Sequence, residues 1–206
     1  LRIISGSLRG KKLHSICGLI TRPTADRLRE SVFNILSSRH IPCSYAKAHG
    51  ENDFREQEGM LREAVVLDLF AGTGAFGIEA LSRGAAFAVF VEKHRDALSV
   101  IARNIRSCAF ESRAKFIRWD IKHNLKCIKS NSFSPFNLVF MDPPYDKNLI
   151  KPALCNLHSS HSLEKGACIV VEHSLLEPIP EDFPDYALSD QRRYGKTLVS
   201  FLDYML

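Results

Sequence analysis

Val65-Val66-Leu67-Asp68-Leu69-Phe70-Ala71-Gly72-Thr73-Gly74-Ala75-Phe76-Gly77 reads as a buried strand that runs through a glycine loop into a helix. Glycines at 72, 74 and 77 let the backbone turn sharply and approach a ligand, and Glu92 follows 20 residues after Gly72 at the end of the next apolar run. Folds that bind adenosine cofactors share this spacing, with the acid accepting hydrogen bonds from ribose hydroxyls. Asp68 at the mouth of the loop is awkward for a pyrophosphate and suits the positive amino group of S-adenosylmethionine. Phe70 adds apolar surface rather than a phosphate contact. A tight strand-to-helix turn followed by a surface Glu is the plain structural alternative.

A second motif lies downstream, where the apolar run Phe136-Asn137-Leu138-Val139-Phe140-Met141 ends in Asp142-Pro143-Pro144-Tyr145. Ligands of open α/β sheets sit just outside the carboxyl ends of the strands, so this carboxylate, rigid turn and aromatic ring are expected to face the site. An exocyclic amine on a base is a poor nucleophile because its lone pair is shared with the ring. Asp142 and the Pro143 carbonyl can accept its two hydrogens, aiming the lone pair at a methyl donor and stabilising positive charge as it develops. Pro143 and Pro144 stiffen the backbone. Tyr145 offers a face for base stacking, an interaction worth about 1–3 kcal/mol. Asp-Pro-Pro also makes an ordinary surface turn, so the motif draws its weight from the glycine loop. Such a transfer calls for no metal.

From Val65 onward short apolar runs alternate with helical stretches, the pattern of a parallel sheet covered on both faces. Strands are expected near 65–69, 86–92, 114–118, 136–141 and 167–172, and helices near 75–83, 94–108, 121–129 and 148–158. Residues 186–188 and 197–204 read as a hairpin that finishes the sheet antiparallel. Asp120, just past the third strand, is placed to accept adenine amino hydrogens or to cap the helix before Ile121. His173, a lone histidine at a strand end, is given no catalytic role. Upstream, residues 1–13 hold two short runs separated by Gly6 and Gly10, which predicts a hairpin. Thr24 is expected to cap a helix with Leu28, Val32, Ile35 and Leu36 on one stripe. Residues 39–63 lose periodicity and predict a long loop. The organisation is therefore a basic N-terminal extension at 1–20 and one main domain at 21–206 with a loop insertion near 39–63.

A chain of 206 residues is long enough for one substantial core and too short for two full domains. Its longest apolar run, Ala85 to Val91, is seven residues, whereas a spanning helix needs about 20. Leu1-Arg2-Ile3-Ile4-Ser5-Gly6 lacks the apolar core of a signal peptide. Six cysteines without a Cys-x-x-Cys pair argue against a zinc site or dithiol motif and fit reduced thiols in a cytoplasmic protein. Net charge is +5, and its location is informative. Residues 1–30 carry seven basic groups (Arg2, Arg9, Lys11, Lys12, Arg22, Arg27, Arg29) against Asp26 and Glu30, while the rest of the chain carries 21 of each sign. That concentration is the footprint expected of a nucleic-acid contact, with a solvated basic face as the alternative.

Several motifs together carry a family resemblance. Arg2-Ile3-Ile4-Ser5-Gly6, Arg9-Gly10-x-x-Leu13, Arg22-Pro23-Thr24-x-Asp26-Arg27-x-Arg29-Glu30, Leu67 to Gly74, Asp142-Pro143-Pro144-Tyr145 and Arg193-Tyr194-Gly195-Lys196-Thr197 occur in that order. The chain resembles the RsmD family of bacterial small-subunit rRNA guanine-N2 methyltransferases over nearly its whole length. The glycine loop and Asp-Pro-Pro-Tyr are shared with many amino-methyltransferases, so the N-terminal signatures carry the specificity.

The resemblance implies a Rossmann-like class I methyltransferase fold, with a mostly parallel seven-stranded sheet whose last strand is antiparallel. It implies that Asp68, Phe70, Gly72, Thr73, Gly74, Gly77, Glu92 and Asp120 bind S-adenosylmethionine, released as S-adenosylhomocysteine. Asp142 to Tyr145 would receive the guanine, and Arg2, Arg9, Lys11, Lys12, Arg22 and Arg27 would grip 16S rRNA in the assembling small subunit. No obligatory protein partner is expected. Residues 39–63 are longer than the connection associated with the family. Arg192, Arg193 and Lys196 are candidates for further phosphate contacts. The rival readings are a DNA adenine-N6 methyltransferase, disfavoured by the lack of a separate DNA-reading domain, and a non-catalytic RNA-binding assembly protein of the same fold. A protein-glutamine methyltransferase leaves the basic N-terminus unexplained, and an NAD-dependent oxidoreductase leaves Asp68 unexplained.

Overall fold

The structure, a computed structural model, describes residues 1–16, 23–39, 59–128, 135–180 and 183–206. Seven strands, β1 (Val65–Leu69), β2 (Phe87–Glu92), β3 (Ala114–Arg118), β4 (Phe136–Met141), β5 (Leu163–Ser174), β6 (Tyr186–Tyr194) and β7 (Thr197–Tyr204), form one sheet in the order β3-β2-β1-β4-β5-β7-β6. Pairing is parallel from β3 through β5, and β7 runs antiparallel to both of its neighbours. The expected mostly parallel sheet with an antiparallel last strand is therefore the one observed.

Strand alternation divides the core into two faces. Val66, Ala88, Phe90, Leu138, Phe140, Val170 and Phe201 pack beneath helices α1 (Pro23–Ser38), α2 (Ala75–Ser82) and α3 (Arg95–Ser107). Leu67, Leu69, Val89, Val91, Val139, Met141 and Ile169 face α4 (Ile150–Ser160) and the segment around Ile121 to Ile128. Phe33 of α1 lies fully buried, with ring centroids 6.2 Å from Phe76 and 5.4 Å from Phe140. Phe33, rather than the half-buried Ile35, completes the inward stripe with Leu28, Val32 and Leu36. The helix starts at Pro23, one residue ahead of the expected Thr24 cap, as suits a residue that lacks an N–H and has a fixed φ.

Other differences have local causes. In place of a helix over 121–129, the described residues form a turn and a short 3₁₀ stretch, Lys126–Ile128. Side chains there compete for the backbone: Lys122 N–H donates to Asp120 Oδ1 at 3.0 Å, Lys126 N–H to Asn124 Oδ1 at 3.0 Å, and Trp119 Nε1 to the Asn124 carbonyl at 2.9 Å. β6 runs on to Tyr194 through Ser189, Gln191 and Arg192, polar residues that suit an edge strand and give no strand signal of their own.

The N-terminal segment curls back on itself through a single antiparallel bridge, Arg2 to Lys12, rather than two regular strands. Its amides are diverted to α2: Ile4 and Ser5 N–H donate to Glu79 at 2.7 and 2.9 Å, and Leu8 N–H to Ser82 Oγ at 3.1 Å. Gly6, at φ 84°, passes so close that a Cβ would sit 2.0 Å from the Ser82 carbonyl oxygen. Ile3 and Leu13 join the same core as α1 and α2. Of the expected loop at 39–63, residues 40–58 lie outside the described residues, as does Arg22.

Candidate active site

Parallel register decides which side chains meet at the carboxyl edge of the sheet. Val91, Leu69, Met141 and Val171 share one row across β2, β1, β4 and β5. One residue further along come Glu92, Phe70, Asp142 and Glu172. Asp68 lies two positions before Phe70, on the face that also carries Phe90 and Phe140. Four neighbouring strands thus bring four carboxyl groups to one edge.

Asp68 is 3% exposed, and its Oδ2 accepts the Gly77 N–H at 3.0 Å. Burial pushes its pKa up to about 8, the Gly77 bond opposes the rise, and Glu92 adds to it. A cation placed beside this carboxyl would favour its ionised form. Glu92 is also buried, with Oε2 accepting the Gly72 N–H at 3.1 Å and Oε1 accepting the Lys93 and His94 N–H groups at 2.8 Å each. A carboxylate has about four acceptor positions, so Glu92 shapes the glycine loop and keeps capacity for one further donor.

The loop is tight on its inner side and open on its outer side. A Cβ at Gly77 would lie 2.4 Å from the Phe90 ring, and one at Gly74 (φ 77°) would meet Ile101 and Phe90 at 3.3 Å. At Gly72 the nearest atom within range would be the Phe70 carbonyl oxygen at 3.9 Å. Phe70 adopts φ 59°, a conformation that bulky residues reach only under constraint, where the chain leaves β1 for the loop. The Thr73 carbonyl is held at 3.0 Å by Nδ2 of Asn104, a fully buried residue of α3.

The Asn104 side chain makes two further bonds, both to His14: its Nδ2 donates to the His14 carbonyl at 3.1 Å and its Oδ1 accepts the His14 N–H at 2.7 Å. The residue links the glycine loop to the N-terminal segment. An asparagine in mid-helix carries no motif that would reveal this from sequence.

Past β2 and β3, Lys93, His94, Arg118, Trp119, Asp120 and His123 surround an open cleft of about 530 Å³. Asp120 caps the following turn through Oδ1, and no hydrogen bond to its Oδ2 is found among the described residues.

At the acceptor motif, Asp142 extends the β4–β1 pairing by donating its N–H to the Leu69 carbonyl at 3.5 Å. Asp142 is exposed at the rim, while Pro143 is buried and Pro144 exposed. Protein packed against the Asp142 carboxyl, then the charges of Glu172 and Asp68, hold its pKa well above the ordinary carboxylate value. Leu28, Val32, Phe76, Phe140 and Val199 line a small apolar recess between Asp142 and Glu172. Tyr145, 41% exposed, donates its hydroxyl to Glu172 Oε1 at 2.7 Å and also contacts Thr197 Oγ1 at 3.2 Å. Burial raises the Glu172 pKa, and the Tyr145 bond offsets part of that rise. Glu172 had no motif to mark it, and the tail motif that ends in Thr197 did not point to the acceptor site; only the strand order puts the two beside Tyr145.

Arg2, Arg9, Lys12 and Arg27 are exposed and Lys11 is half-buried. Arg29 turns inward instead, bonding the Arg2 carbonyl at 2.6 Å and Asp26 at 3.1 Å, so its charge serves to anchor the N-terminal segment. Among the described residues no cluster of three or more His, Cys, Asp or Glu side chains is arranged to hold a metal ion, and no helix is long and apolar enough to cross a membrane.

A sheet of this order, with β7 reversed and a glycine loop after its central β1, is the architecture of a class I methyltransferase. The chain belongs to the RsmD family: the family model described as "Conserved hypothetical protein 95" matches residues 1–203. It is 32% identical over 200 residues to "Putative rRNA methyltransferase YlbH" of Bacillus subtilis, covering 97% of each chain. It is 29% identical over 197 residues to "Ribosomal RNA small subunit methyltransferase D" of Escherichia coli K12, covering 95% of this chain and 86% of that one. Among solved structures, "Putative methyltransferase yhhF from Escherichia coli" superposes with a TM-score of 0.76 at 29% identity, over 100% of this chain and 98% of that one. A putative RNA methyltransferase of Pyrococcus horikoshii, 15% identical with a TM-score of 0.60 over 95% of each chain, shares the fold.

Proposed function

We propose that this protein transfers a methyl group from S-adenosylmethionine to the exocyclic N2 amine of a guanine in 16S rRNA of the assembling small ribosomal subunit, in the cytoplasm. The observation that carries the reading is the shared row of Glu92, which ends β2, and Asp142, which directly follows β4, on either side of the glycine loop that leaves β1. The relatives' names, an rRNA methyltransferase and a small-subunit rRNA methyltransferase, support the substrate class.

The residues fit the donor. Asp68 suits its cationic part, Glu92 has capacity for a ribose hydroxyl, the open face of Gly72 admits a ligand, and Asp120 offers an acceptor beside the cleft lined by Trp119. When bound, S-adenosylmethionine supplies an electrophilic sulfonium methyl and a positive charge. Asp142 and the Pro143 carbonyl accept the two amine hydrogens of guanine, so that the nitrogen lone pair points toward the donor side of the site. As the nitrogen becomes positive, the Asp142 carboxylate stabilises it and is the group placed to take up the proton. Tyr145, its hydroxyl fixed by Glu172, presents a ring on which the base stacks. Arg2, Arg9, Lys11, Lys12, Arg22 and Arg27 supply charge for the RNA backbone.

Incubating the protein with labelled S-adenosylmethionine and small subunits lacking the modification, then mapping the label, tests the proposal directly. Label on a guanine N2 of 16S rRNA is the expected result; label absent from the rRNA, with transfer instead to duplex DNA offered in a parallel reaction or to neither, would overturn it. Asp142→Ala should largely abolish transfer while retaining donor binding.

A further inference from the structure

One buried histidine has no part in the chemistry described above, yet it organises a turn at the edge of the acceptor motif. His173 is 1% exposed, and its Nδ1 donates to the carbonyls of Ser174 and Glu177 at 3.1 and 2.9 Å. Its Nε2 accepts the Ser200 hydroxyl at 2.7 Å. Two carbonyls on one nitrogen and a hydroxyl on the other require the Nδ1-protonated ring. Burial lowers the imidazole pKa and keeps that neutral form. The turn itself is closed by Leu176 N–H on Ser174 Oγ at 3.1 Å, Glu177 N–H on the Ser174 carbonyl at 3.2 Å, and Leu175 N–H on the Lys196 carbonyl at 3.4 Å.

What this bonded turn displays is Leu176, 84% exposed, the greatest exposure of any large apolar side chain among the described residues. Scattered surface leucines are ordinary, and a loose loop would account for one. Here the backbone on either side is held by buried or interstrand partners. The position is equally specific. Ser174 pairs with Thr197, whose Oγ1 is 3.2 Å from the Tyr145 hydroxyl, and Leu176 is two residues on, a chain distance of at most about 7 Å. Lys196 on the adjoining β6–β7 turn and Arg193 at the end of β6, both exposed, bring positive charge to the same rim.

A guanine stacked in RNA cannot place its amine between Asp142 and Tyr145 without leaving the stack, and its departure opens a gap between the neighbouring bases. Proteins that hold such a gap open do so with an apolar side chain inserted from a rigid support. We propose that Leu176 is the wedge that enters the RNA stack as the target guanine is withdrawn, with Lys196 and Arg193 facing the flanking phosphates; this rests on the guanine reading given above.

The experiment places 2-aminopurine at the position of the target guanine in a base-paired rRNA fragment and follows its fluorescence, which rises on unstacking, at saturating protein. The intact protein should raise the signal. Leu176→Ala should lose most of that rise, by about tenfold in the unstacked-to-stacked ratio if one leucine side chain is buried in the gap, and Leu176→Met should retain it. Melting temperature and S-adenosylmethionine affinity should match the parent in both variants, because Leu176 touches neither the core nor the glycine loop. An equal rise with Leu176→Ala overturns the wedge, as does no rise with an intact protein that methylates small subunits. An intact protein that labels no rRNA guanine overturns the guanine reading first and this inference with it.

Discussion

Tyr145 donates its hydroxyl hydrogen to Glu172 Oε1 at 2.7 Å, which ties the acceptor tetrapeptide after β4 to the neighbouring strand β5. The ring of Tyr145 is therefore held from its far end, and a base stacking on it meets a fixed surface. Tyr145→Phe keeps the ring and removes the anchor. Methyl transfer should fall about fivefold, the equivalent of about 1 kcal/mol for a partly solvated hydrogen bond, with donor affinity unchanged. Glu172→Gln keeps an acceptor oxygen and should lose less activity than Glu172→Ala. Steady-state kinetics on the three variants would count against the anchor if Gln and Ala behaved alike.

Asp68 makes stability depend on pH. Its carboxyl titrates at about 8 in the folded protein against 3.8 for an unperturbed Asp. Between those values the folded state holds a proton that the unfolded chain has released, so stability falls as pH rises from about 4 to about 8. Asp68→Asn removes that titrating carboxyl, and its melting temperature should decline less than the parent's across the same window. Donor binding to the parent should tighten toward pH 8 as the carboxylate forms and should release protons, measurable by calorimetry in buffers of different ionisation enthalpy. Identical pH profiles for the parent and Asp68→Asn would refute the assignment.

Asn104 couples two segments through three hydrogen bonds, to His14 twice and to the Thr73 carbonyl. Asn104→Ala leaves those backbone groups without their buried partner and should cost about 1–3 kcal/mol of stability. It should also weaken donor binding by loosening the glycine loop. Chemical denaturation beside donor titration measures both, and a destabilised variant with parental donor affinity would separate Asn104 from the loop.

Charge on the N-terminal segment should dominate RNA affinity. Replacing Arg2, Arg9, Lys11 and Lys12 with Ala should weaken RNA binding and flatten its salt dependence, with a slope change of about 0.7–0.9 for each phosphate no longer neutralised. Donor binding should survive. The buried core beneath is untouched, because Ile3 and Leu13 carry the packing and Glu79 and Ser82 take the backbone amides. An unaltered salt slope would move the RNA interface to Arg193, Lys196 and the rim around Leu176.

Much of the architecture was legible in the chain itself because its signals are local. The strand, loop and helix around Asp68 to Gly77 are spelled out by an apolar run, three spaced glycines and the residues that follow them. Asp142-Pro143-Pro144-Tyr145 is likewise contiguous, and its place after an apolar run puts it at a strand end whatever the sheet order. Polar edge positions hid the length of β6, and short side-chain bonds from Asp120 and Asn124 undid the helix expected from 121. Neither effect has a period to detect.

What the amino-acid sequence determined alone was the set of local elements and two motifs, since each depends on neighbours within a few residues. Tertiary structure decided which distant groups share the site. Glu172 reaches Tyr145 only because β5 lies beside β4, Thr197 only because β7 reverses against β5, and Asn104 reaches Thr73 only because α3 packs over the loop. It also decided the state of the charges: Arg29, counted among the basic residues of the N-terminus, is consumed by Asp26 and the Arg2 carbonyl, and the Asp68 carboxyl is raised to about 8 by burial. Desolvation and cross-strand packing are properties of the folded chain, and no spacing along one sequence encodes them.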